Sequence, residues 1–212
     1  MALTYHGGSL LQGDLPVSIL WYGNFSPAQK SIIADFLLSL NHKGQKTAKP
    51  SVTQWWNSVQ TYMKKAGQKP TNVSLSTQLS DHNYSLGKTL KKSQITELAR
   101  GANFGQGRLT LVLTAPDVAV EGFCMSNCGF HYSNRKSNLV FIWVGNSATV
   151  PGGGAASACT GVYGKGAYLG YAGELLVDAN SGASYHAVGV NGRKYLLPAL
   201  FDPYTSQCET IV

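Results

Sequence analysis

The most constraining feature of this sequence is an alternation of strand patterns and helix patterns along its first 150 residues. Residues 15–22 form an apolar run between two glycines, which is typical of a buried strand. A helix start follows at once. Ser26 fits the N-cap and Pro27 fits the first helical position. Gln29, at the third helical position, completes a Ser-x-x-Gln capping box. A buried strand followed directly by a capped helix predicts a layered α/β fold.

The same signals predict two further helices and three further strands. The second helix begins at the cap Ser51, with Gln54 three residues later, and the third helix covers residues 93–99. Further strands are expected at residues 72–79, 108–114 and 138–144. The inner face of the first helix is expected to carry Ile32, Ile33, Phe36, Leu37 and Leu40. We therefore expect a mixed, mostly parallel sheet packed with about three helices.

The last quarter of the chain differs, because it is rich in glycine and tyrosine. A hairpin is predicted where residues 174–178 and 183–187 flank an Ala-Asn-Ser-Gly turn, before an apolar closing segment at residues 195–201. A length of 212 residues favours one domain. The expected single domain, 1–212, consists of an α/β part (1–150), a linker-like bridge (151–155) and a Gly/Tyr-rich tail packed on it (156–212).

The net charge of +7 lies in the first half of the chain. Residues 1–100 carry 11 Lys+Arg against 4 acidic residues, whereas residues 101–212 carry 6 of each. This excess fits either an acidic partner or a solvated surface. Arginine, the better reader of phosphates, occurs once in that half, at Arg100, which disfavours nucleic acid. No run approaches the roughly 20 apolar residues of a membrane helix, so no membrane span is expected.

Four cysteines and three sequons favour an oxidising, secretory route. Cys124 and Cys128 form a Cys-x3-Cys pair, while Cys159 and Cys208 lie far apart, which favours disulfides over zinc. Three pairings are open. We prefer Cys124–Cys128 with Cys159–Cys208, because the latter would tie the C-terminus to the start of the tail. Asn-x-Ser glycosylation sequons begin at Asn24, Asn72 and Asn83.

No motif assembles a metal site or a catalytic constellation. The five histidines are too far apart in sequence to share a helix face, and the chain lacks a nucleophile elbow and a phosphate loop. His131 is the best single catalytic candidate, because a disulfide-pinned loop after Cys128 could hold its imidazole. Asp117 and Glu121 fit either an acid–base pair or a strand-end turn. We expect no enzyme activity, no cofactor and no bound metal.

Candidate binding residues lie mainly on the second predicted helix. Trp55 and Trp56 are about 100° apart around the helix axis, so they cannot both point fully inward. One of them could stack on a sugar ring, or both could pack in the core and at the helix edge. Lys64 and Lys65 close the same helix and belong to the basic face. The candidate binding residues are therefore His131, Trp55, Trp56, Lys64 and Lys65.

Seven strings carry a family resemblance, at residues 17–29, 50–56, 84–87, 117–125, 141–146, 158–168 and 189–203. Through them the chain resembles the plant EXORDIUM-like, or phosphate-induced protein, family nearly end to end. The resemblance implies a secreted protein of the apoplast and cell wall that takes part in growth and cell expansion. Family members carry several tens of residues that are missing here between Val150 and Ala155, including a helix and a cysteine pair.

The resemblance also sets the functional alternatives. The leading interpretation is a non-catalytic extracellular binding or signalling protein, expected to be a monomer with an unknown extracellular partner. The first alternative is a protein that binds acidic cell-wall polysaccharide. The second is a hydrolase related to zinc metallopeptidases, to which distant microbial relatives look similar in fold. Because the missing helix is where such a zinc site would lie, the metal site is expected to be lost.

Overall fold

The predicted α/β class is confirmed, with three helices and a mixed, mostly parallel sheet in the described part of the chain. The computed structural model describes residues 4–42, 49–102, 109–125, 127–134, 136–146 and 175–209. In chain order the elements are β1 (Gly13–Tyr22), α1 (Pro27–Ser39), α2 (Val52–Lys65), β2 (Thr71–Asp81), β3 (Thr89–Leu90), α3 (Lys92–Gly101), β4 (Leu109–Thr114), β5 (Ala119–Val120), β6 (Gly129–Asn134), β7 (Leu139–Val144), β8 (Leu176–Val177), β9 (Ser184–Tyr185), β10 (Ala187–Val188), β11 (Lys194–Tyr195), β12 (Leu200–Asp202) and β13 (Gln207–Glu209).

The main sheet has five strands in the order β2-β1-β4-β7-β6. β1, β4 and β7 are parallel neighbours, and β6 pairs antiparallel with β7 at one edge. β2 runs in the same direction as β1, because Gly13 N donates to Pro70 O at their first residues and Gly23 N donates to Asp81 O at their last. The four parallel strands therefore end at one common edge.

The structure corrects one expectation around His131. The predicted loop is instead the edge strand β6, which begins directly after the disulfide-bonded Cys128 and in which His131 pairs with Ile142. Phe130 and Tyr132 flank this histidine, and each ring lies 5.7 Å from the ring of Phe141. Aromatic packing on β7 therefore holds the segment extended.

The chain divides into two compact units. Among the described residues, the first unit holds 4–14, 31–42, 49–74 and 175–209, and the second holds 15–30, 75–102, 109–125, 127–134 and 136–146. β1, α1 and β2 each belong partly to one unit and partly to the other. The predicted bridge at residues 151–155 lies outside the described residues, and the expected single-domain organisation stays a prediction.

The core of the second unit lies between the sheet and α3. Phe141 and Trp143 are fully buried on β7, and Ile95 and Ala99 are fully buried on α3. Trp143 keeps its polar atom satisfied, because Nε1 donates to Thr114 Oγ1 at 3.2 Å. Each large apolar side chain buried in this way contributes about 1.5–3 kcal/mol.

The capping boxes predicted for α1 and α2 are both present. In the first, Gln29 N donates to Ser26 Oγ at 3.2 Å and Ser26 N donates to Gln29 Oε1 at 2.8 Å. In the second, Gln54 N donates to Ser51 Oγ at 3.2 Å and Ser51 N donates to Gln54 Oε1 at 2.9 Å. Each box satisfies backbone N–H groups that the helix itself leaves unpaired.

The inner face predicted for α1 is partly wrong. Ile32 is 41% exposed, whereas Asp35 and Ser39 are buried. Both polar side chains receive hydrogen bonds in the first unit: Ser39 Oγ accepts from Val190 N at 2.8 Å, and the Asp35 carboxylate accepts from Asn191 and Tyr195. The helix therefore buries a polar contact with the turn between β10 and β11 in place of a purely apolar one.

The tail contains the predicted hairpin, and one predicted disulfide is wrong. β8 pairs antiparallel with β9, within the segments expected to form the hairpin. Cys124 is a buried free thiol, so the Cys124–Cys128 pair is not formed. A tight turn accounts for this, because Cys124 N donates to Asn127 O at 2.9 Å and the Cys124 side chain is buried in that turn. Cys128 is disulfide-bonded to a cysteine other than Cys124. Cys159 and the side chain of Cys208 lie outside the described residues.

The state of Cys124 gives a direct prediction. In the unreduced protein, we expect iodoacetamide to label Cys124 after denaturation and to leave it unlabelled in the native state, because the side chain is only 9% exposed. Peptide mapping by mass spectrometry checks both labelling states. A disulfide-linked peptide that contains Cys124 would contradict the structure.

A buried histidine in the first unit predicts loss of stability in mild acid. His186 is fully buried, and its Nδ1 accepts a hydrogen bond from Leu197 N at 3.3 Å. Burial lowers the pKa of this imidazole below its ordinary value of 6.5. In mild acid, the unfolded chain therefore binds a proton at His186 more readily than the folded chain does. The free energy of unfolding should decline as the pH falls below about 6.5, by up to about 1.4 kcal/mol per pH unit.

Urea unfolding at pH 7.5, 6.5 and 5.5 measures this decline. His186→Asn keeps an acceptor near the Nδ1 position without titrating, so its unfolding free energy should vary less over the same range. His131→Gln is the matched control for the removal of a histidine, because His131 is exposed on β6. Equal pH profiles for the wild type and His186→Asn would contradict the prediction.

Candidate functional site

The carboxyl edge of the parallel strands contains the first candidate site. The connection after β1 leads to β2 on one side, whereas the connection after β4 leads to β7 on the other side. The loops that follow β1 and β4 therefore leave the sheet in opposite directions. In open α/β sheets, ligands bind preferentially at such a switch point.

Four polar side chains meet at this edge, in a group that we call the edge cluster: Asn24, Tyr84, Lys88 and Asp117. Tyr84 Oη donates to Asp117 Oδ2 at 2.9 Å, and Lys88 Nζ donates to the same oxygen at 2.5 Å. Asn24 Nδ2 donates to Tyr84 Oη at 3.1 Å. The Lys88 ammonium also lies 4.4 Å from the centroid of the Tyr84 ring. Residues from three different loops are thus joined in one hydrogen-bonded chain.

Short elements position the edge cluster. β3 pairs with β5 in parallel, and Ala119 N donates to Lys88 O at 2.8 Å, which brings Lys88 beside Asp117. Tyr84 has a φ of 52°, a left-handed conformation that is unusual for a side-chain-bearing residue. The Asp81 carboxylate supports this turn by accepting from the backbone N–H of Ser85 at 3.1 Å.

The hydroxyl of the buried Tyr22 anchors the same loop through two hydrogen bonds to its backbone. Tyr22 Oη donates to Gly87 O at 2.8 Å and accepts from Leu86 N at 2.9 Å. Its ring lies edge-on to Tyr84, with centroids 6.1 Å apart. Burial raises the pKa of the Tyr22 hydroxyl, so it stays protonated and continues to donate at neutral pH.

The charges of the edge cluster compensate one another. The hydrogen bond from Lys88 lowers the pKa of the Asp117 carboxyl, and the same bond raises the pKa of the Lys88 ammonium. Asp117 is therefore ionised at neutral pH and accepts two hydrogen bonds. Glu121, its suggested acid–base partner, instead accepts from Lys92 N at 3.2 Å, at the start of α3. Asp117 and Glu121 thus accept hydrogen bonds from different elements: Asp117 from the loop that carries Tyr84 and Lys88, and Glu121 from the start of α3.

A cleft beside the C-terminal end of α2, in the first unit, is the second candidate site. We call it the α2 cleft. Its volume is about 570 Å³. Its wall contains aromatic, aliphatic and basic side chains, and among the described residues it is lined by Thr4, Tyr5, Leu10, Tyr62, Met63, Lys65, Ala66 and Pro203. Lys65 supplies the charge of this lining.

The lysine of the α2 cleft is held by the turn between β12 and β13. Lys65 Nζ donates to Pro203 O and lies 4.7 Å from the centroid of the Tyr204 ring. Asp202 Oδ1 accepts from Tyr204 N at 2.6 Å and from Thr205 N at 3.3 Å, which fixes the turn. The ammonium thus has a defined position on the cleft wall.

The other wall of the α2 cleft is the segment before β1. Thr71 Oγ1 donates to Leu11 O at 2.6 Å, and Lys69 N donates to Gln12 Oε1 at 3.1 Å. Thr71 itself is held by Gln60 of α2, whose Oε1 accepts from Thr71 N at 2.9 Å. These bonds tie the segment that carries Tyr5 and Leu10 to the same helix that carries Lys65.

The structure separates the sequence-predicted binding residues. Trp55 and Trp56 are both half-buried, with Nε1 donating to Pro198 O at 2.9 Å and to Thr71 O at 3.4 Å respectively. Lys64 and Lys65 are exposed, and Lys65 lines the α2 cleft. His131 is exposed on β6 in the other unit. The asparagines of the three sequons are all exposed: Asn24, Asn72 and Asn83.

The described part of the chain contains neither a candidate metal site nor a candidate membrane-spanning helix. Within the described ranges, no group of three or more His, Cys, Asp or Glu side chains is close enough to hold a metal ion. None of the helices there combines the length and the apolar content needed to cross a bilayer.

Comparison with known proteins identifies the family. The profile of the phosphate-induced protein 1 conserved region matches residues 3–155 and 151–211. The chain belongs to this family. It is 39% identical to Protein PHOSPHATE-INDUCED 1 of Nicotiana tabacum, an alignment that covers 99% of this chain and 88% of the relative. It is also 39% identical to Protein EXORDIUM-like 1 of Arabidopsis thaliana, over 98% of this chain and 89% of the relative.

The comparisons also locate a missing segment. The alignment with the tobacco protein spans 277 residues, which is more than the 212 residues of the chain. The two segments matched by the family profile meet at residues 151–155, where the sequence analysis places the deletion. Relatives therefore carry a segment that has no counterpart here. No solved structure matches the chain at a significant level.

Proposed function

We propose that this family member is a secreted plant protein of the apoplast and cell wall that acts in growth and cell expansion by non-catalytic binding. The observation that carries the non-catalytic part is the closed edge cluster. At the switch point of the sheet, Tyr84 and Lys88 both donate hydrogen bonds to Asp117. A catalytic site needs a base or nucleophile free to meet a substrate, and these side chains are committed to one another.

Secretion is tested on protein expressed in plant tissue. We expect the chain in the apoplastic wash, with a mass that falls on treatment with a peptide N-glycosidase. The exposure of Asn24, Asn72 and Asn83 supports glycan attachment at all three sequons. Each single variant, with Asn→Gln at one sequon, should be lighter than the glycosylated wild type by the mass of one glycan. Recovery in the cytosolic fraction without any glycan would contradict the proposal.

The role in growth is tested by cell size in matched plant lines. We expect lines that lack the protein to have shorter expanding cells, and expression of the wild-type chain to restore their length. Equal cell length with and without the protein would contradict this part of the proposal, whatever its location.

A second candidate function, binding of acidic cell-wall polysaccharide, is favoured by the basic α2 region. Residues 36–80 contain six lysines and no acidic residue, and Lys65 of this segment lines the α2 cleft. A cationic surface of this kind attracts polyanions and releases them as salt screens the charges. Binding that is insensitive to salt would count against this candidate.

A further inference from the structure

We infer that the α2 cleft binds an oligosaccharide that bears uronate carboxylates, with Lys65 pairing with one carboxylate and Tyr5 and Tyr62 contacting the sugar rings. This inference rests on the proposed binding function and names its site. The cleft volume of about 570 Å³ lies within the range of ligand pockets, about 300–1,000 Å³. The chemistry of its walls decides the class of ligand.

The cation of the site is positioned in advance. A free lysine side chain loses considerable rotamer entropy when it is fixed by a ligand. Here the contact with the Tyr204 ring and the hydrogen bond to Pro203 O already restrain Lys65. An ammonium has three N–H donors, and the described contacts use one of them on a carbonyl. Lys65 can therefore offer charge and N–H groups to a carboxylate at reduced entropic cost.

The tyrosines of the site match the mixed surface of a sugar. A pyranose ring has apolar C–H faces and a rim of hydroxyl groups, and a tyrosine offers an apolar ring face with a polar tip. Tyr5 is 41% exposed and Leu10 is 38% exposed on one wall, while Met63 is buried behind them. Such a lining suits a ligand that is partly apolar and partly hydroxylated.

The charge of the cleft selects for an anionic ligand. Among its described lining residues, Lys65 is basic and none is acidic. The carboxylate of Asp202, outside this lining, accepts two backbone hydrogen bonds in the adjoining turn. Lys64 lies next in sequence and adds a second exposed cation. A uronate-bearing chain satisfies both the charge and the aromatic lining, whereas a neutral glycan leaves the ammonium unpaired.

The test is a calorimetric titration of the whole purified chain with tetragalacturonate at low salt. We expect saturable binding that weakens as salt is raised. Lys65→Met, which keeps the alkyl stem and removes the charge, should weaken binding by about tenfold, because a charged hydrogen bond of about 1.4 kcal/mol is lost. Lys49→Met removes the same charge from an exposed site outside the lining and should leave the affinity within about twofold of wild type.

Two further comparisons make the test specific. The fully methyl-esterified tetramer should bind weakly to the wild type and equally weakly to Lys65→Met. Tyr5→Ala should weaken binding of the acid, while Tyr5→Phe, which keeps the ring, should not. Equal losses for Lys65→Met and Lys49→Met, or absence of binding by wild type, would overturn the inference. Those outcomes leave secretion and the growth role to their own tests.

Discussion

Asp35→Ala is expected to destabilise the protein by about 3–5 kcal/mol, a large share of the roughly 5–15 kcal/mol that stabilises a typical domain. Asp35 is 2% exposed. Its Oδ1 accepts from Asn191 N at 3.2 Å and from Asn191 Nδ2 at 2.5 Å, and its Oδ2 accepts from Tyr195 Oη at 2.8 Å. Alanine removes the acceptor of all three charge-assisted hydrogen bonds, and their loss dominates the effect. Asn191 is exposed to water and Tyr195 Oη also contacts Ile32 O at 3.0 Å, so these donors keep other acceptors.

Urea unfolding at neutral pH measures the effect of Asp35→Ala. Tyr195→Phe removes one of the three donors and should cost about 1 kcal/mol. Asp14→Ala is the matched control: Asp14 is an exposed aspartate of the same unit that accepts from Asn72 Nδ2 at 3.0 Å, and its loss should cost about 1 kcal/mol or less. Burial and the bond to Asp35 raise the pKa of the Tyr195 hydroxyl, so it remains a donor under these conditions. A loss below 1 kcal/mol for Asp35→Ala would contradict the structure.

Gly23→Ala is expected to cost about 2–4 kcal/mol and to open the edge cluster. Gly23 has a φ of 96°, a conformation that L side chains rarely adopt. A Cβ added there would lie 2.7 Å from the Cβ of Ala115 and 2.9 Å from Cε1 of Tyr84. Relief of these contacts would move Tyr84, which carries the hydrogen bond to Asp117.

A second glycine separates the backbone cost of Gly23→Ala from its steric cost. Gly87 also has a positive φ, 83°, but a Cβ there would meet no atom within 4 Å. Gly87→Ala should therefore cost only about 1 kcal/mol. Unfolding free energies of the two variants give the comparison, and the difference between them is the cost of the contacts with Ala115 and Tyr84. Equal losses would show that close packing of Gly23 against these two side chains contributes nothing.

The parts of the fold that the sequence predicts are those with local signals. The capping boxes at Ser26 and Ser51 involve residues three apart, and the apolar run of β1 needs no distant partner. Burial of Asp35 could not be predicted in this way, because its partners Asn191 and Tyr195 lie 156 and 160 residues away. A charged residue on a helix is ordinarily solvated, and only the tertiary contact reverses that expectation.

The candidate sites show the same difference between local sequence signals and contacts between distant residues. Asn24 and Asp117 follow predicted strands at a short distance, so polar residues after parallel strands are a signal that could have indicated the edge cluster. Tyr84 and Lys88 lie in an irregular loop, and their contact with Asp117 depends on the short pairing of β3 with β5. Lys65 was predicted from charge alone, whereas the aromatic neighbours Tyr5 and Tyr204 come from segments distant in sequence.

Wall binding without turnover is the central claim, and one co-sedimentation measurement tests it directly. Purified wild-type protein is incubated with isolated plant cell walls, the bound fraction is determined, and the supernatant is assayed for released sugars and peptides. We predict that the protein sediments with the walls, that raised salt releases it, and that soluble products stay at the level of a protein-free control. Products that accumulate with time, and whose release a chelator abolishes, would contradict the account, as would protein that remains wholly in the supernatant.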